Sequence, residues 1–372
     1  MNNTKSAPGV LPVQELRDLA ADGRIIVPNP IREEQYQPAS LDLRLGITAH
    51  RVQASFLTGP NASVPDKLAE LGMGRLELRQ PTILERNCIY VVCLQEMLHL
   101  PETLGGKANP KSTTGRLDVF TRVITDHGDT FDRIPAGYDG QLWLEIVPRT
   151  FPIVVREGDC LTQLRLERGD ALCTDDELRA TDQVHGLCRT GTGERAVAVI
   201  DDGMIVTARI AGDHPGELGD VIAWRGRTNA PIIDLSKRRH YRPTDFWEPV
   251  PAPPSGRLIL DPGHLYLLNS AERLSIPKDF AAEMVPFDPA VGEFRIHYAG
   301  FFDPGFGWSD NQRGTRAVLE VRAHETALSM EHGQRVGRLL YSRMAARPEQ
   351  TYGSAIGSAY NRQGLALSKQ FI

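Results

Sequence analysis

The stretch NPKSTTGRLDV, Asn109–Val119, packs a lysine, three hydroxyl side chains and an arginine into Lys111–Arg116, with no acidic residue before Asp118. An ammonium, a guanidinium fork and hydroxyls suit the oxygens of a phosphate. The stretch is not a Walker loop, because GxxxxGK followed by Ser or Thr is absent. A polar turn and an anion grip both stay open on these residues alone. Further on, Leu142–Val147 reads as a strand in which Trp143, Glu145 and Val147 share one face. A carboxylate among apolar neighbours is costly to bury, and desolvation raises its pKa toward the range that suits proton transfer. Glu145 is therefore either a general acid/base or the structural partner of an arginine.

These residues need a scaffold, and the chain writes its scaffold twice. Leu84–Pro101 and Leu260–Pro277 share Leu84/Leu260, Tyr90/Tyr266, Glu96/Glu272, Leu98/Leu274 and Pro101/Pro277, all 176 apart. A later block shares Leu144/Leu319, Glu145/Glu320, Gly158/Gly333 and Leu164/Leu339, all 175 apart. The nearly constant offset implies a tandem duplication. The polar run Glu167–Glu194 is the expected junction, with boundaries at 1–175, 176–194 and 195–372. In each half, short strands separated by Gly, Pro, Asp and Asn turns predict a mainly β fold, a sandwich or distorted barrel with few helices. Examples are Ser40–Leu45, Cys88–Leu94, Leu142–Val147 and Ile153–Val155. One early helix is expected in PVQELRDLAADG, with Val13, Leu16, Leu19 and Ala20 on one face and a stop at Gly23. PVPAPP, Pro249–Pro254, reads as a surface loop.

The two copies are not equal. Where the first has its donor cluster, the second reads EMVPFDPAVGEF, Glu283–Phe294, with no hydroxyl–arginine group. Glu320 shares a strand face with Val318, Arg322 and His324, which reads as solvated, so a structural role is expected there. The asymmetry makes the first copy the expected ligand holder.

Composition narrows the classes. At 372 residues, two domains are the prior, and 41% apolar with 24% charged residues is ordinary for a globular protein. A net charge of −5, with no Lys/Arg cluster suggesting a duplex-binding face, argues against nucleic acid. Five cysteines without a CxxC pair suggest reduced thiols and a cytoplasmic protein. MNNTKSAPGVL lacks a signal-peptide core, and the longest apolar runs, such as Ala196–Ile200, exclude a helical membrane span.

Four segments together resemble the dCTP deaminase family of the dUTPase-like β-barrel superfamily. They are GRIIVPNPIREEQYQPASLDLRLG (Gly23–Gly46), KSTTGRL (Lys111–Leu117), DRIPAGYDGQLWLE (Asp132–Glu145) and the tail YNRQGLALSKQF (Tyr360–Phe371). The length and duplication are similar to the long, two-copy bacterial form. The resemblance implies two tandem dUTPase-like, jelly-roll-like barrels, the first catalytic and the second degenerate. It implies hydrolytic deamination of dCTP to dUTP and ammonia, supplying the dUMP and dTTP route. Carried over, Glu145 is the general acid/base and Arg133 its partner near the base. Lys111, Ser112, Thr113 and Arg116 hold the triphosphate, and Asp126, Asp132, Tyr360, Arg362 and Gln363 complete the substrate site. Glu320 is then the second-copy counterpart.

Some positions depart from the family pattern. Asp132 replaces a histidine and Phe131 an alanine. Pro135-Ala136 replaces Asp-Pro, and residues are added around TDHGDT. GFFDPGFGW, Gly300–Trp308, keeps Asp-Pro-Gly but has Phe301 in place of the arginine. The H-x-E…P-C-x-x-C pattern of zinc deaminases is absent, so no zinc is expected, and Mg²⁺ is expected to arrive with the triphosphate. The family's sites lie between barrels, which implies a homo-oligomer, here a trimer, with dUTP or dTTP as further ligands. Two other readings stand beside this one. One is a dUTP pyrophosphatase or bifunctional enzyme with Asp126 activating water. The other is a nucleotide-binding regulator without turnover.

Overall fold

The computed structural model describes residues 7–211, 221–286, 294–296, 300–308, 313–323, 325–353 and 365–372, with backbone alone for 294–296. The first half builds its principal sheet from β1 (Ser40–Val52), β2 (Ile89–His99), β3 (Leu104–Pro110), β4 (Val119–Thr125), β5 (Arg133–Ile134), β6 (Asp139–Pro148) and β7 (Cys160–Arg168). They lie side by side in the order β5-β3-β7-β1-β2-β6-β4. The second half uses β8 (Met204–Arg209), β9 (Leu265–Leu274), β10 (Phe280–Pro286), β11 (Phe294–Ile296), β12 (Phe301–Phe302), β13 (Thr315–Ala323) and β14 (Arg335–Arg343). Their order is β12-β10-β14-β8-β9-β13-β11. Each second-half position carries the first-half label plus seven, so the duplication extends to strand order, and every pairing on both paths is antiparallel.

The register repeats as well. Glu145 lies opposite Val91 and Glu320 opposite Leu267, positions 176 apart on β2 and β9. The matched tyrosines do the same work: the Glu85 amide donates to the Tyr90 hydroxyl at 3.0 Å and the Asp261 amide to that of Tyr266 at 3.1 Å. The sheets curl as barrels do, with help from bulges. One register shift lies between Leu45 and Ala49 on β1, at Gly46, where a Cβ would stand 2.5 Å from the Cys93 carbonyl oxygen. Only glycine allows that approach.

Helices are few and short. α1 (Val13–Ala21) buries Val13 and Leu16 and gives way to Gly23 at φ 68°, as its periodicity predicts. α2 (Val64–Leu71) is capped by Ser63 and Asp66. α3 (Ser112–Gly115) is a single turn, and α4 (Asp175–His185) starts from a Thr174/Glu177 capping box. The polar junction is therefore no loose linker. It folds as α4, and Cys188–Arg189 then pairs with β9. The expected PVPAPP loop is part strand: Pro249–Pro251 close a strand, and Ala252–Pro254 lie beyond it at the surface. Among the described residues, Trp247–Pro251 is a strand paired with Val221–Gly226 alone, and its prolines suit an edge position.

The halves share packing. Ile233, Phe246, Trp247, Leu265, Leu267 and Phe371 from the second half belong to the first half's apolar core. Ile233–Asp234 adds a parallel strand to Ile153–Val155, and Arg156 grips Asp234 with a two-pronged ion pair at 2.7 and 2.9 Å. Among the described residues, no helix is long and apolar enough to cross a membrane.

Candidate active site

β3 ends at Pro110 and the chain turns into α3, which lays Lys111–Arg116 along the boundary with the second half. The turn is pinned to β7: the Lys111 amide and the Thr114 hydroxyl both donate to the Leu161 carbonyl, at 3.0 and 2.8 Å. Thr114 is thus spent on the fold. Lys111 forms an ion pair with Asp42, from the SLDLRLG strand. Burial pushes the Asp42 carboxyl up, and Lys111 pulls it back. Ser112 is exposed and Thr113 half-buried, both facing an open cleft of about 760 Å³. Arg116 is buried and donates from Nη1 to the Ala366 carbonyl at 3.1 Å.

The opposite wall comes from the second copy. A smaller pocket of about 70 Å³ adjoins this cleft, shares Lys111, Ser112, Phe301 and Asp303 with it, and is lined also by Arg116, Arg316 and Glu320. Strand alternation on β13 puts Arg316, Val318, Glu320 and Arg322 on one face. That face is covered by the first half, which leaves Glu320 only 5% exposed. Burial drives its carboxyl up to about 8, with Arg116 opposing the shift and Asp118 adding to it. The expectation of a solvated Glu320 is thereby corrected: alternation identifies a face but not what covers it. Phe301 stacks on the Arg165 guanidinium at 3.9 Å, and Arg165 of β7 reaches Asp303 at 3.3 Å. Burial lifts Asp303 to about 6 against the pull of Arg165.

Away from that pocket, Arg32, Arg238, Arg239 and Lys369 face the larger cleft. Burial depresses the Lys369 amine, and the like charges of Lys111 and Arg238 depress it further. A half-buried ammonium among other cations is a place for an anion.

Other expected site residues lie elsewhere. Neither Glu145 nor Arg133 lines this cleft. Glu145 is fully buried, and its Oε1 accepts from Arg122 Nε and Nη2 at 3.1 and 2.7 Å. Arg122 stacks on Phe131 at 3.8 Å and also reaches Ser55 at 2.7 Å. Glu145 thus has an arginine partner. Arg133 is exposed on β5 opposite Lys107. Asp132 sits at φ 61° and accepts from the Val123 amide at 2.7 Å, and burial lifts it to about 7. Asp126 accepts from the Val64 amide at 2.7 Å and so starts α2, away from the cleft. Tyr360, Arg362 and Gln363 lie outside the described residues.

Sequence reasoning missed Asp42, Arg238, Arg239 and Lys369. The run SKRRHYR and the lysine of the tail were visible, but neither lies in the donor motif. Among the described residues, no three His, Cys, Asp or Glu side chains converge as a metal site.

Comparison with known proteins gives a consistent result. The family model described as the 2'-deoxycytidine 5'-triphosphate deaminase N-terminal domain matches residues 7–170. The corresponding C-terminal domain model matches residues 174–371. The fold is similar to the crystal structure of 2'-deoxycytidine 5'-triphosphate deaminase from Agrobacterium tumefaciens. That likeness has a TM-score of 0.84 at 46% identity, over 92% of this chain and all of that one. A dCTP deaminase of Aeropyrum pernix is 28% identical over 159 residues, 42% of this chain and 82% of that protein. A dUMP-forming dCTP deaminase of Rhodococcus jostii is 26% identical over 205 residues, 54% of this chain and 97% of that protein.

Proposed function

The chain belongs to the 2'-deoxycytidine 5'-triphosphate deaminase family, and from that premise we propose that the cleft between its two copies deaminates dCTP, with Glu320 as general acid and base. One observation carries the choice of residue. The donors of the first copy and a buried carboxyl of the second line one cleft, while Glu145 is bound to Arg122.

In this reading Ser112, Thr113 and Lys111 take the inner phosphates, and Arg238, Arg239 and Lys369 the terminal one. The triphosphate arrives as its Mg²⁺ complex, since that ion prefers phosphate and water oxygens. The base lies inward, toward Phe301 and Glu320. Glu320 accepts a proton from water as the oxygen adds to C4 of cytosine. It delivers that proton to N3, then takes the C4 hydroxyl proton and passes it to the amino group, so that the C4 carbonyl forms as the C4–N bond breaks and ammonia leaves. A carboxyl near 8 sits close enough to neutrality to move a proton both ways. Arg116 stands where it can steady the carboxylate form. dUTP and dTTP share the triphosphate and deoxyribose, so the same cleft would accept them.

The test is product analysis with dCTP and Mg²⁺. Ammonia with dUTP supports the deaminase. Additional dUMP and pyrophosphate would add a second hydrolysis. Tight binding without turnover would sink the enzymatic reading and leave a regulator. Glu320→Gln should cut kcat by roughly 100- to 10,000-fold while nucleotide binding persists. Glu145→Gln should leave kcat near wild type. The reverse pattern would return the chemistry to the first copy.

A further inference from the structure

Two residues beyond Arg116, the chain takes a left-handed step at Asp118, φ 56°. The step is held by its own amide, which donates to the Gly115 carbonyl at 2.8 Å, and by the Arg149 amide, which donates to the Asp118 carbonyl at 2.8 Å. It drives the Asp118 carboxylate into the boundary between the halves, where it is fully buried. There it meets the Arg322 guanidinium and the Thr150 hydroxyl. Arg322 also donates to Thr150 Oγ1 at 2.9 Å and to the Gly263 carbonyl. Arg322 lies two residues beyond Glu320, on the same face of β13.

Arg116 and Glu320 thus stand on two different copies, and one buried ion pair, two residues from each, fastens those copies together. A buried ion pair is a poor device for stability, because desolvating both ions offsets most of their attraction. Apolar residues would close the boundary at least as well. What apolar residues could not do is fix a charge balance beside a proton-transferring carboxyl. We infer that Asp118 and Arg322 are a positioning pair, which sets the placement and protonation of Glu320 relative to the nucleotide held by the Lys111–Arg116 turn. The inference rests on Glu320 as the general acid/base.

The charged groups around Glu320 are Lys111, Arg116 and Asp118 from the first half, Asp303 after β12, and Arg316 and Arg322 on its own strand. Leu267, its neighbour on β9, is apolar. Asp118→Asn removes an anion near Glu320 and leaves Arg322 cationic, and both changes favour the carboxylate. Arg322→Met removes the cation facing Asp118 and favours the acid. Glu320 must be ionised to take the proton from water, so the acid limb of kcat/KM should move down in pH with Asp118→Asn and up with Arg322→Met. In both, kcat should fall roughly 10- to 100-fold, the scale of small misplacements. The double variant, neutral at both positions, should bring the limb back toward wild type.

The experiment is a pH profile of kcat/KM for each full-length variant, with thermal melts alongside. Should Arg322→Met fail to fold, Arg322→Lys keeps the charge and loses the fork, and should lower kcat with the limb unmoved. Unshifted limbs in folded Asp118→Asn and Arg322→Met proteins would overturn the positioning role. If Glu320→Gln turns over like wild type in the same assay, it is the assignment of Glu320 that fails.

Discussion

Glu145 and Glu320 occupy one position of a repeated fold, yet their described surroundings differ. On β4, opposite Glu145, Arg122 brings a guanidinium into hydrogen-bond contact, so that carboxylate has a fixed counter-charge. Glu320 has Arg116 across the cleft and Asp118 pushing the other way, and its carboxyl rises to about 8. Activity and stability should then respond to pH in opposite senses. kcat/KM should rise with pH and level off above about 8, because the free enzyme must ionise Glu320. For stability, the folded protein binds a proton at Glu320 that the unfolded chain releases near the ordinary carboxylate value. The folded state's advantage from this group is complete below that value and is lost as pH rises through about 8. Urea titrations across that window should show wild type losing stability with rising pH more steeply than Glu320→Gln. Parallel slopes would mean that Glu320 is not the shifted group.

β13 and the C-terminal segment are the elements that complete the cleft, and they were unequally legible in the sequence. The periodicity of α1, the alternation at Leu142–Val147 and the constant offset between copies all report local geometry, and the structure keeps them. The cover over Glu320 is tertiary: an alternating strand with Arg322 and His324 on one face looks solvated until another body is placed on it. The same holds for SKRRHYR. Its arginines become site residues only because the tail folds back on that loop. The Arg239 amide donates to the Lys369 carbonyl at 2.9 Å and the His240 amide to that of Gln370 at 2.8 Å. Phe371 anchors this arrangement, with ring centroids 5.4 Å from Phe246 and 6.1 Å from Trp247. Phe371→Ala should cost about 3–5 kcal/mol in chemical denaturation, as for other buried phenylalanines. Because Lys369 and Ala366 lie on the same segment, KM for dCTP should also rise. A stability loss with unchanged KM would show that the tail holds its place without that anchor.

At the scale of the molecule, the proposed function has two copies dividing one task. The first supplies Lys111–Arg116 and the second the buried Glu320, and one pocket is lined by both. In the same reading the complementary combination is closed off. The second copy has no hydroxyl–arginine cluster in Glu283–Phe294. Glu283 instead forms an ion pair at 3.1 Å with Lys107, its first-copy counterpart 176 positions earlier. The carboxylate that would serve that combination, Glu145, is occupied by Arg122, whose guanidinium lies flat on Phe131. An anionic nucleotide there would have to displace an arginine from a buried carboxylate, leaving that charge uncompensated, a change on the order of 3–5 kcal/mol. Calorimetric titration of the Glu320→Gln protein with Mg²⁺–dCTP should therefore saturate at one nucleotide per chain. Arg116→Ala should weaken that single event, whereas Arg133→Ala should leave it unchanged. Saturation at two per chain, or a binding event lost with Arg133, would mean that the Glu145 side remains a nucleotide site and that the copies have not divided the work.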